Sequence, residues 1–378
     1  MLTSPRAILG TFVALHVIND FYATVLPAFL PALAREWDLD YAELGLLSFA
    51  FSLFTGVLQP LIGHIADKKG KRKLVLSFGF FVGGTGFLLM AIAPSFWFIT
   101  VISLLCGLGA ATYHPQATAF IVNAYPNDRG RMLGIHGWGG SIGHFLAPAM
   151  ATVAIAALDW RWAMVIVAIP IVGAGTGVWV YLPESTPNPQ ASLKGALGRP
   201  IIVAALAFGL LNTVLYSFVT FVVKMLVDEG WAEVTAGATL TTMLFIGVIA
   251  QPVGGRIYDR FGGRKLFVCA NLGTILSVLI FSQSSGLASL IAVGAIATFG
   301  FGLFPVSLAM ASKIGGDSRT GFTVGIVFGV SGLLGATARP AVGALAETLG
   351  DIRLALSWTV IFAIAALPFA MQLEKQET

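Results

Sequence analysis

Long apolar runs separated by short polar segments organise this chain. Reading runs of about 18–27 residues as helices that cross a membrane gives twelve spans. The first six are predicted at Ile8–Ala32, Leu44–Ile65, Leu74–Ala93, Phe96–Val122, Leu133–Leu158 and Ala163–Leu182. The other six are predicted at Ile201–Leu226, Ala236–Ile257, Leu266–Gln283, Leu287–Ser312, Phe322–Leu345 and Leu354–Leu373. Barrel strands would be shorter and would alternate apolar with polar residues, so the pattern indicates helices.

Composition indicates the same class of protein. Of the 378 residues, 57% are hydrophobic and 11% are charged, whereas a soluble domain carries about 25% charged residues. We therefore expect an all-α integral membrane protein. The first apolar run is too long for a signal peptide and carries Asn19 and Asp20 at its middle, so it counts as a span.

Lys and Arg are concentrated in alternate loops, which indicates the cytoplasmic side. With the amino end inside, the outer loops hold only Arg35, Arg161 and Arg353. The sequence thus predicts an inner (plasma) membrane protein with both termini cytoplasmic. The net charge of +4 follows from this bias and indicates no nucleic-acid partner. The absence of an N-x-[ST] sequon favours a prokaryotic source.

A duplication at an offset of 192 residues is the strongest signal in the sequence. Gln59-Pro60 matches Gln251-Pro252, and six positions from Gly63 to Lys73 match those from Gly255 to Lys265. At the same offset a glycine series ending in a proline recurs, with Gly137, Gly140, Gly143 and Pro148 matching Gly329, Gly332, Gly335 and Pro340. The duplication predicts two related six-helix bundles, residues 1–182 and 200–378, joined by a cytoplasmic linker at residues 183–199.

The repeated loop has a physical interpretation of its own. Asp67 is placed where a helix ends, among several positive charges, so its carboxylate can accept hydrogen bonds from a helix amino end and pair with a cation. Such a contact could hold one conformation of a moving bundle. The alternative is a loop that only fixes topology. We predict a conformational latch made by the residues Gly63, Asp67, Arg72, Asp259 and Arg264.

These two loops resemble the signature loop of the major facilitator superfamily, and the resemblance covers essentially the whole chain. Three further stretches resemble the fosmidomycin-resistance efflux branch of that superfamily. They are His16-Val17-Ile18-Asn19-Asp20, Tyr113-His114-Pro115 and Gly137–Pro148. Two positions depart from the pattern: Ala147 precedes the proline where drug/proton antiporters have Gly, and Gln116 stands where Glu is expected. The resemblance implies transport by alternating access, with drug or organic anion efflux driven by protons.

Ionisable groups at membrane depth are costly, so they are functional candidates. Asp20 is the sole carboxylate near the middle of any predicted span. His16, Asn19 and Asp20 lie at positions i, i+3 and i+4 and therefore share one helical face. His114 is predicted at the depth of His16, and His144 at that of Asp20. The first predicted group serves proton coupling and comprises Asp20, His16 and His114. The second contacts substrate and comprises Asn19, Tyr113, His144 and Arg339.

The leading hypothesis is therefore a monomeric secondary transporter in the lipid bilayer that exchanges protons for a small molecule. Arg339 would suit an anionic or phosphonate-like group. The alternatives are proton-coupled uptake of an organic anion and transport of a divalent metal held by His16, Asp20 and His114. No HExxH or GxSxG motif indicates an enzyme, no P-loop indicates ATP use, and no resident metal or other cofactor is expected.

Overall fold

The computed structural model describes residues 4–185 and 198–373, apart from the side chains of residues 67, 129, 130 and 316–321. This described part forms fifteen helices and no strand. The first eight helices are α1 (Pro5–Thr24), α2 (Leu26–Trp37), α3 (Tyr41–Lys69), α4 (Arg72–Ala91), α5 (Phe96–Ala111), α6 (Tyr113–Ala124), α7 (Arg129–Ala157) and α8 (Trp160–Tyr181). The others are α9 (Arg199–Asp228), α10 (Glu233–Phe261), α11 (Gly263–Gln283), α12 (Gly286–Gly302), α13 (Phe304–Leu349), α14 (Ile352–Ser357) and α15 (Val360–Gln372).

Twelve helical stretches among the described residues are long and apolar enough to cross a membrane. Their outer surfaces carry large apolar side chains such as Ile92, Trp97 and Leu287, which are 71%, 65% and 74% exposed. In water a surface of this kind would drive aggregation, whereas in a bilayer it contacts lipid. The prediction of an all-α, twelve-span membrane protein is confirmed.

Four predicted spans are not the single helices that the sequence pattern suggested. The first, fourth, tenth and twelfth spans each consist of two helices. Proline lacks the N–H that would continue the hydrogen-bonding pattern of a helix, and its ring clashes with the preceding turn. Three of the breaks precede a proline by two or three residues: Val25 before Pro27, Thr112 before Pro115 and Leu303 before Pro305. The fourth, at Trp358 and Thr359, has no proline so close.

The tenth and eleventh spans share one helical stretch, α13, which has 46 residues. A straight helix of that length would be roughly 69 Å long, more than twice the thickness of the hydrocarbon core. The stretch instead doubles back, as is shown by the Thr323 hydroxyl, which donates to the Ala311 carbonyl at 2.7 Å. The rings of Phe304 and Phe328 also lie 4.6 Å apart. Two spans therefore share one helical run, whereas the hydropathy pattern predicted two separate runs.

The helix boundaries repeat at the spacing of the sequence duplication. Helix α3 runs from Tyr41 to Lys69 and α10 from Glu233 to Phe261, so both ends are displaced by 192 residues. The fold consists of two six-span bundles of the same construction. The exact division at residues 182 and 200 stays a prediction.

The bundles meet chiefly along two helix pairs, α3 with α13 and α7 with α10, and α2 also packs on α9. Small residues permit the first contact: a Cβ added to Gly329 would lie 2.8 Å from the Gly56 carbonyl oxygen. In the second, the Gln251 amide donates to the Ser141 hydroxyl at 3.2 Å. Within the first bundle α1 packs closely on α7, and this contact positions the candidate site.

Candidate functional site

A carboxylate surrounded by imidazoles lies inside the first bundle. Asp20 on α1 is 5% exposed. Its Oδ2 atom lies 3.0 Å from His16 Nε2 and 3.1 Å from His144 Nδ1, and its Oδ1 atom lies 3.6 Å from His114 Nε2. The Asn19 amide donates to Oδ1 at 2.8 Å. We call the four residues His16, Asp20, His114 and His144 the Asp20 cluster.

Three helices supply the Asp20 cluster, each through a local feature of the sequence. His16 and Asp20 are one turn apart on α1, on the face predicted from their spacing. His114 stands in the first turn of α6, immediately after the break at Thr112. His144 lies on α7.

The glycine series on α7 makes room for the Asp20 cluster. A Cβ added to Gly139 or Gly143 would overlap the α1 backbone at Val13 or Val17, so only glycine allows this approach. A Cβ on Gly140 would overlap His16 Nε2 and Asp20 Oδ2, and would lie 2.6 Å from His16 Cε1. Gly140 thus leaves the space that the ion pair occupies.

The hydrogen bonds around His16 fix where its protons lie. Tyr113 donates its hydroxyl proton to the Phe12 carbonyl at 2.7 Å, so its oxygen accepts from His136 Nε2 at 3.0 Å. His16 Nδ1 donates to the His136 carbonyl at 2.8 Å. A neutral His16 therefore presents the bare lone pair of Nε2 to Asp20 Oδ2. Two facing lone pairs repel, so a proton belongs between these two atoms, carried by either residue.

His144 donates rather than accepts at the same carboxylate. Its Nδ1 atom lies 2.9 Å from the Gly140 carbonyl and 3.1 Å from Asp20 Oδ2, and both oxygens are acceptors. The proton on Nδ1 is therefore shared between them. His144 also contacts the second bundle, since its ring meets that of Phe301 edge-on at 5.9 Å. This imidazole links the buried carboxylate to the interface between the bundles.

His136 belongs to the site, although it is not among the residues predicted from the sequence. Its side chain is buried at 5% exposure, and its ring stacks on His16 with centroids 4.1 Å apart. A usable signal was present: His136 stands one turn before Gly140 and so shares a face of α7 with it.

The residues predicted to contact substrate occupy different positions. Asn19 and Tyr113 are each 1% exposed, and Tyr113 bonds to protein groups behind the Asp20 cluster. The side chains of His114 and His144 are 38% and 23% exposed, so they are the more accessible members of the cluster. Substrate contact by Asn19, Tyr113 and His144 stays a prediction.

Arg339 lies apart from Asp20 at the contact between the two bundles. Its Nη1 atom on α13 donates to the Ser48 carbonyl of α3 at 3.0 Å and to the Ser52 hydroxyl. The guanidinium stands over the Tyr216 ring at 5.6 Å. No carboxylate in the described part of the chain forms an ion pair with it, and its buried Nε has no protein acceptor there. A role in substrate contact stays a prediction.

Four of the five predicted latch residues can be located with their side chains. A Cβ on Gly63 would lie 2.9 Å from Pro115 Cβ, so α3 approaches the start of α6 closely. Arg72 Nη1 donates to Gln116 Oε1 at 3.3 Å, the position where the resembled branch has Glu. Arg264 Nε donates to the Leu373 carbonyl at 2.8 Å. Asp259 lies in the last turn of α10, whereas the Asp67 side chain lies outside the described part.

At the end of the spans that the charge bias assigns to the outside, polar contacts join the two bundles. The Tyr41 N–H donates to Glu347 Oε1 at 2.9 Å, and its hydroxyl donates to Asp228 Oδ2 at 2.7 Å. Arg35 forms an ion pair with Glu233. These contacts hold the bundles together at that end.

One nitrogen or oxygen from each of His16, Asp20 and His114 lies within 4.8 Å of the other two. A divalent metal would need them to contract modestly, since nitrogen and oxygen ligands lie about 2.0–2.2 Å from zinc. The geometry therefore admits the metal alternative.

Comparison with known proteins agrees with this fold. The family model described as Major Facilitator Superfamily matches residues 12–227 and 203–371. The uncharacterised MFS-type transporter YfnC of Bacillus subtilis is 28% identical over 93% of this chain and 88% of its own. The fosmidomycin resistance protein of Escherichia coli is 27% identical over 90% and 86%. A bacterial homologue of the human lysosomal transporter Spinster superposes with a TM-score of 0.78, covering 97% and 96% of the two chains at 16% identity.

Proposed function

The chain belongs to the Major Facilitator Superfamily, and we propose that it exports a small organic anion in exchange for protons. The transporter class rests on the family match over most of the chain. The Asp20 cluster is the observation that carries the proton coupling. The relative whose name records fosmidomycin resistance supports a phosphonate-like anion as substrate.

We place the coupled proton between Asp20 Oδ2 and His16 Nε2, a position that we call the proton site. Burial disfavours an unpaired charge there, while proton loss would leave a carboxylate facing a lone pair 3.0 Å away. A proton that arrives or leaves thus changes the interactions of α1 with α7, the two helices that carry the Asp20 cluster. His114 and His144 are the more exposed members of the Asp20 cluster and would pass the proton between the proton site and the interface of the bundles.

Arg339 is the proposed anion contact. Its guanidinium bridges the two bundles, and its unpaired Nε–H is available to a phosphonate or carboxylate oxygen. An anion bound there would lie at the contact between α3 and α13, and we expect it to shift the guanidinium that also bonds to Ser48 and Ser52. This coupling of binding to bundle contacts is what alternating access requires.

The orientation belongs to the proposal as well. We place both termini in the cytoplasm of a prokaryotic cell, because the short loops at that end carry most of the Lys and Arg residues. Alternating access would then exchange the outer contacts at Tyr41 and Arg35 for contacts at the inner loops. The predicted latch residues lie at the inner end, and the protein is proposed to work as a monomer.

Two alternatives remain open to experiment. Proton-coupled uptake of an organic anion would use the same residues in the opposite direction. Transport of a divalent metal is favoured by one observation, the spacing of ligand-type atoms from His16, Asp20 and His114 within 4.8 Å.

A survival assay tests the proposal. Cells expressing the wild-type chain should tolerate more fosmidomycin than cells expressing Asp20→Asn at equal membrane abundance. Sensitivity to Zn²⁺, Co²⁺ and Ni²⁺ measured in the same cells addresses the metal alternative. Protection from metals that depends on His114 together with no protection from the phosphonate would replace anion export by metal transport. Increased fosmidomycin sensitivity on expression of the wild-type chain would indicate uptake.

A further inference from the structure

A cavity of about 450 Å³ lies in the second bundle, at the end of the spans that the charge bias assigns to the cytoplasm. Helices α9, α11, α13 and α15 and the last turn of α10 surround it, and α15 packs on both α9 and α11. It is separate from the Asp20 cluster, which the first bundle supplies. Its position beside Arg199 and Leu373 places it where a lipid headgroup layer would meet the protein.

Positive charge lines one side of this cavity. Its cations are Arg199, Arg264 and Lys313, and none of the described lining residues is Asp or Glu. Arg199 Nη2 donates to Gln372 Oε1 at 3.1 Å, and Arg264 Nε donates to the Leu373 carbonyl. A guanidinium has five donors, so both arginines keep further N–H groups for an anion.

Two helices also begin at the cavity. Helix α9 starts at Arg199 and α11 at Gly263, and neither has a side-chain cap among the described residues. The first N–H groups of a helix lack partners within it, and together with the helix dipole they favour an anion. The helix ends add to the attraction that the three cations already exert.

The remaining lining is apolar and reaches the lipid-facing surface. Met371 and Ile314 are 55% and 37% exposed, and Val203 and Met310 lie beside them. A small hydrated anion gains nothing from such side chains, whereas an acyl chain does. Basic pockets between spans on the cytoplasmic side are where anionic lipid headgroups bind.

We propose that this cavity binds the headgroup of an anionic phospholipid. The phosphate lies among Arg199, Arg264 and Lys313, and an acyl chain follows Met371 toward the bilayer. The inference goes beyond the proposed transport function and uses none of its proton-coupling residues. It gives Arg264 a second partner, so lipid bound here would compete for a residue of the predicted latch.

The test uses the full-length protein purified in a detergent that removes lipid, with lipid binding followed by native mass spectrometry. Phosphatidylglycerol should bind at one saturable site, and phosphatidylethanolamine with the same acyl chains should bind more weakly. Removing a cation near a lipid surface should weaken binding roughly fivefold, so Arg199→Gln/Lys313→Gln should lose roughly thirtyfold. Arg256→Gln/Arg260→Gln, which removes two cations from the same bundle end outside the cavity, should bind as the wild type does.

Soluble anions distinguish a lipid site from a simple phosphate site. Inorganic phosphate and glycerol phosphate should fail to displace phosphatidylglycerol at millimolar concentration. Arg264→Lys should retain most of the affinity and Arg264→Gln should not, which guards against a variant that merely misfolds. Equal losses in the cavity pair and the control pair, or displacement by inorganic phosphate alone, would overturn the proposal.

Discussion

Replacing Gly140 by alanine tests the geometry of the Asp20 cluster with a single methyl group. The added Cβ would lie 2.6 Å from His16 Cε1 and would overlap the Asp20 carboxylate. Carbon atoms in contact prefer about 3.5–4.0 Å, so one partner must move by roughly 1 Å. The His16 ring is held by its bond to the His136 carbonyl and by the stacked His136 ring. The pair at 3.0 Å should therefore separate.

The expected loss of function is large and the expected loss of stability is small. A misplacement of about 1 Å in a reacting pair costs on the order of a hundredfold in rate. Overpacking costs about 1–3 kcal/mol, while replacing a helical glycine by alanine returns about 0.5–1 kcal/mol. We thus expect a folded Gly140→Ala protein whose proton-driven transport is about a hundredfold slower.

Proteoliposomes with an imposed pH gradient provide the assay, and Gly137→Ala is the matched control. Gly137 lies on the same helix, and a Cβ added there meets no atom within 4 Å. Its transport rate should match that of the wild type. If Gly140→Ala and Gly137→Ala transported at rates within twofold of each other, the proposed proton site between His16 and Asp20 would be refuted.

Four further predictions follow from the same contacts. Tyr113→Phe should lower proton-driven transport and shift its pH profile, because His136 Nε2 loses its acceptor; a wild-type rate and pH profile would count against this contact. Arg339→Ala should weaken binding of an anionic substrate more than Arg339→Lys, as measured by ligand titration, and equal affinities would exclude this contact. Asp67→Ala and Asp259→Ala should change cysteine labelling from the two sides of the membrane without unfolding the protein. Tyr41→Phe removes the bond to Asp228 and should increase labelling from the outer side; unchanged labelling would count against an outer closure.

The helical class and the duplication were predictable from the sequence, because both depend on patterns that extend over many residues and that no single substitution would remove. Apolar runs and a charged loop repeated at one offset leave little choice of fold. The divided spans were missed because apolarity continues through Thr112 and Val25, and only the following prolines mark the breaks. Those prolines were readable, but a proline in a membrane helix does not always end it.

The site residues on α1 were predictable from the sequence, whereas those on the other helices were less so. His16, Asn19 and Asp20 share a face by helical spacing alone. Depth estimates placed His114 and His144 at the same level in the membrane as His16 and Asp20, but they could not give contact distances between separate helices. His136 escaped notice because its role depends on a stacked ring and a backbone carbonyl. Arg339 was expected to face substrate, and its bonds to Ser48 and Ser52 depend on how two bundles meet, which no local pattern encodes.

Proton movement driven by substrate is the measurement that tests the central claim most directly. Purified protein in liposomes that enclose a pH-sensitive dye would receive fosmidomycin on one side, with no initial pH gradient. The account predicts that the wild type moves protons opposite to the phosphonate. Asp20→Asn should still bind the phosphonate but move no protons. Substrate-driven proton movement at the wild-type rate in the Asp20→Asn protein would contradict the account.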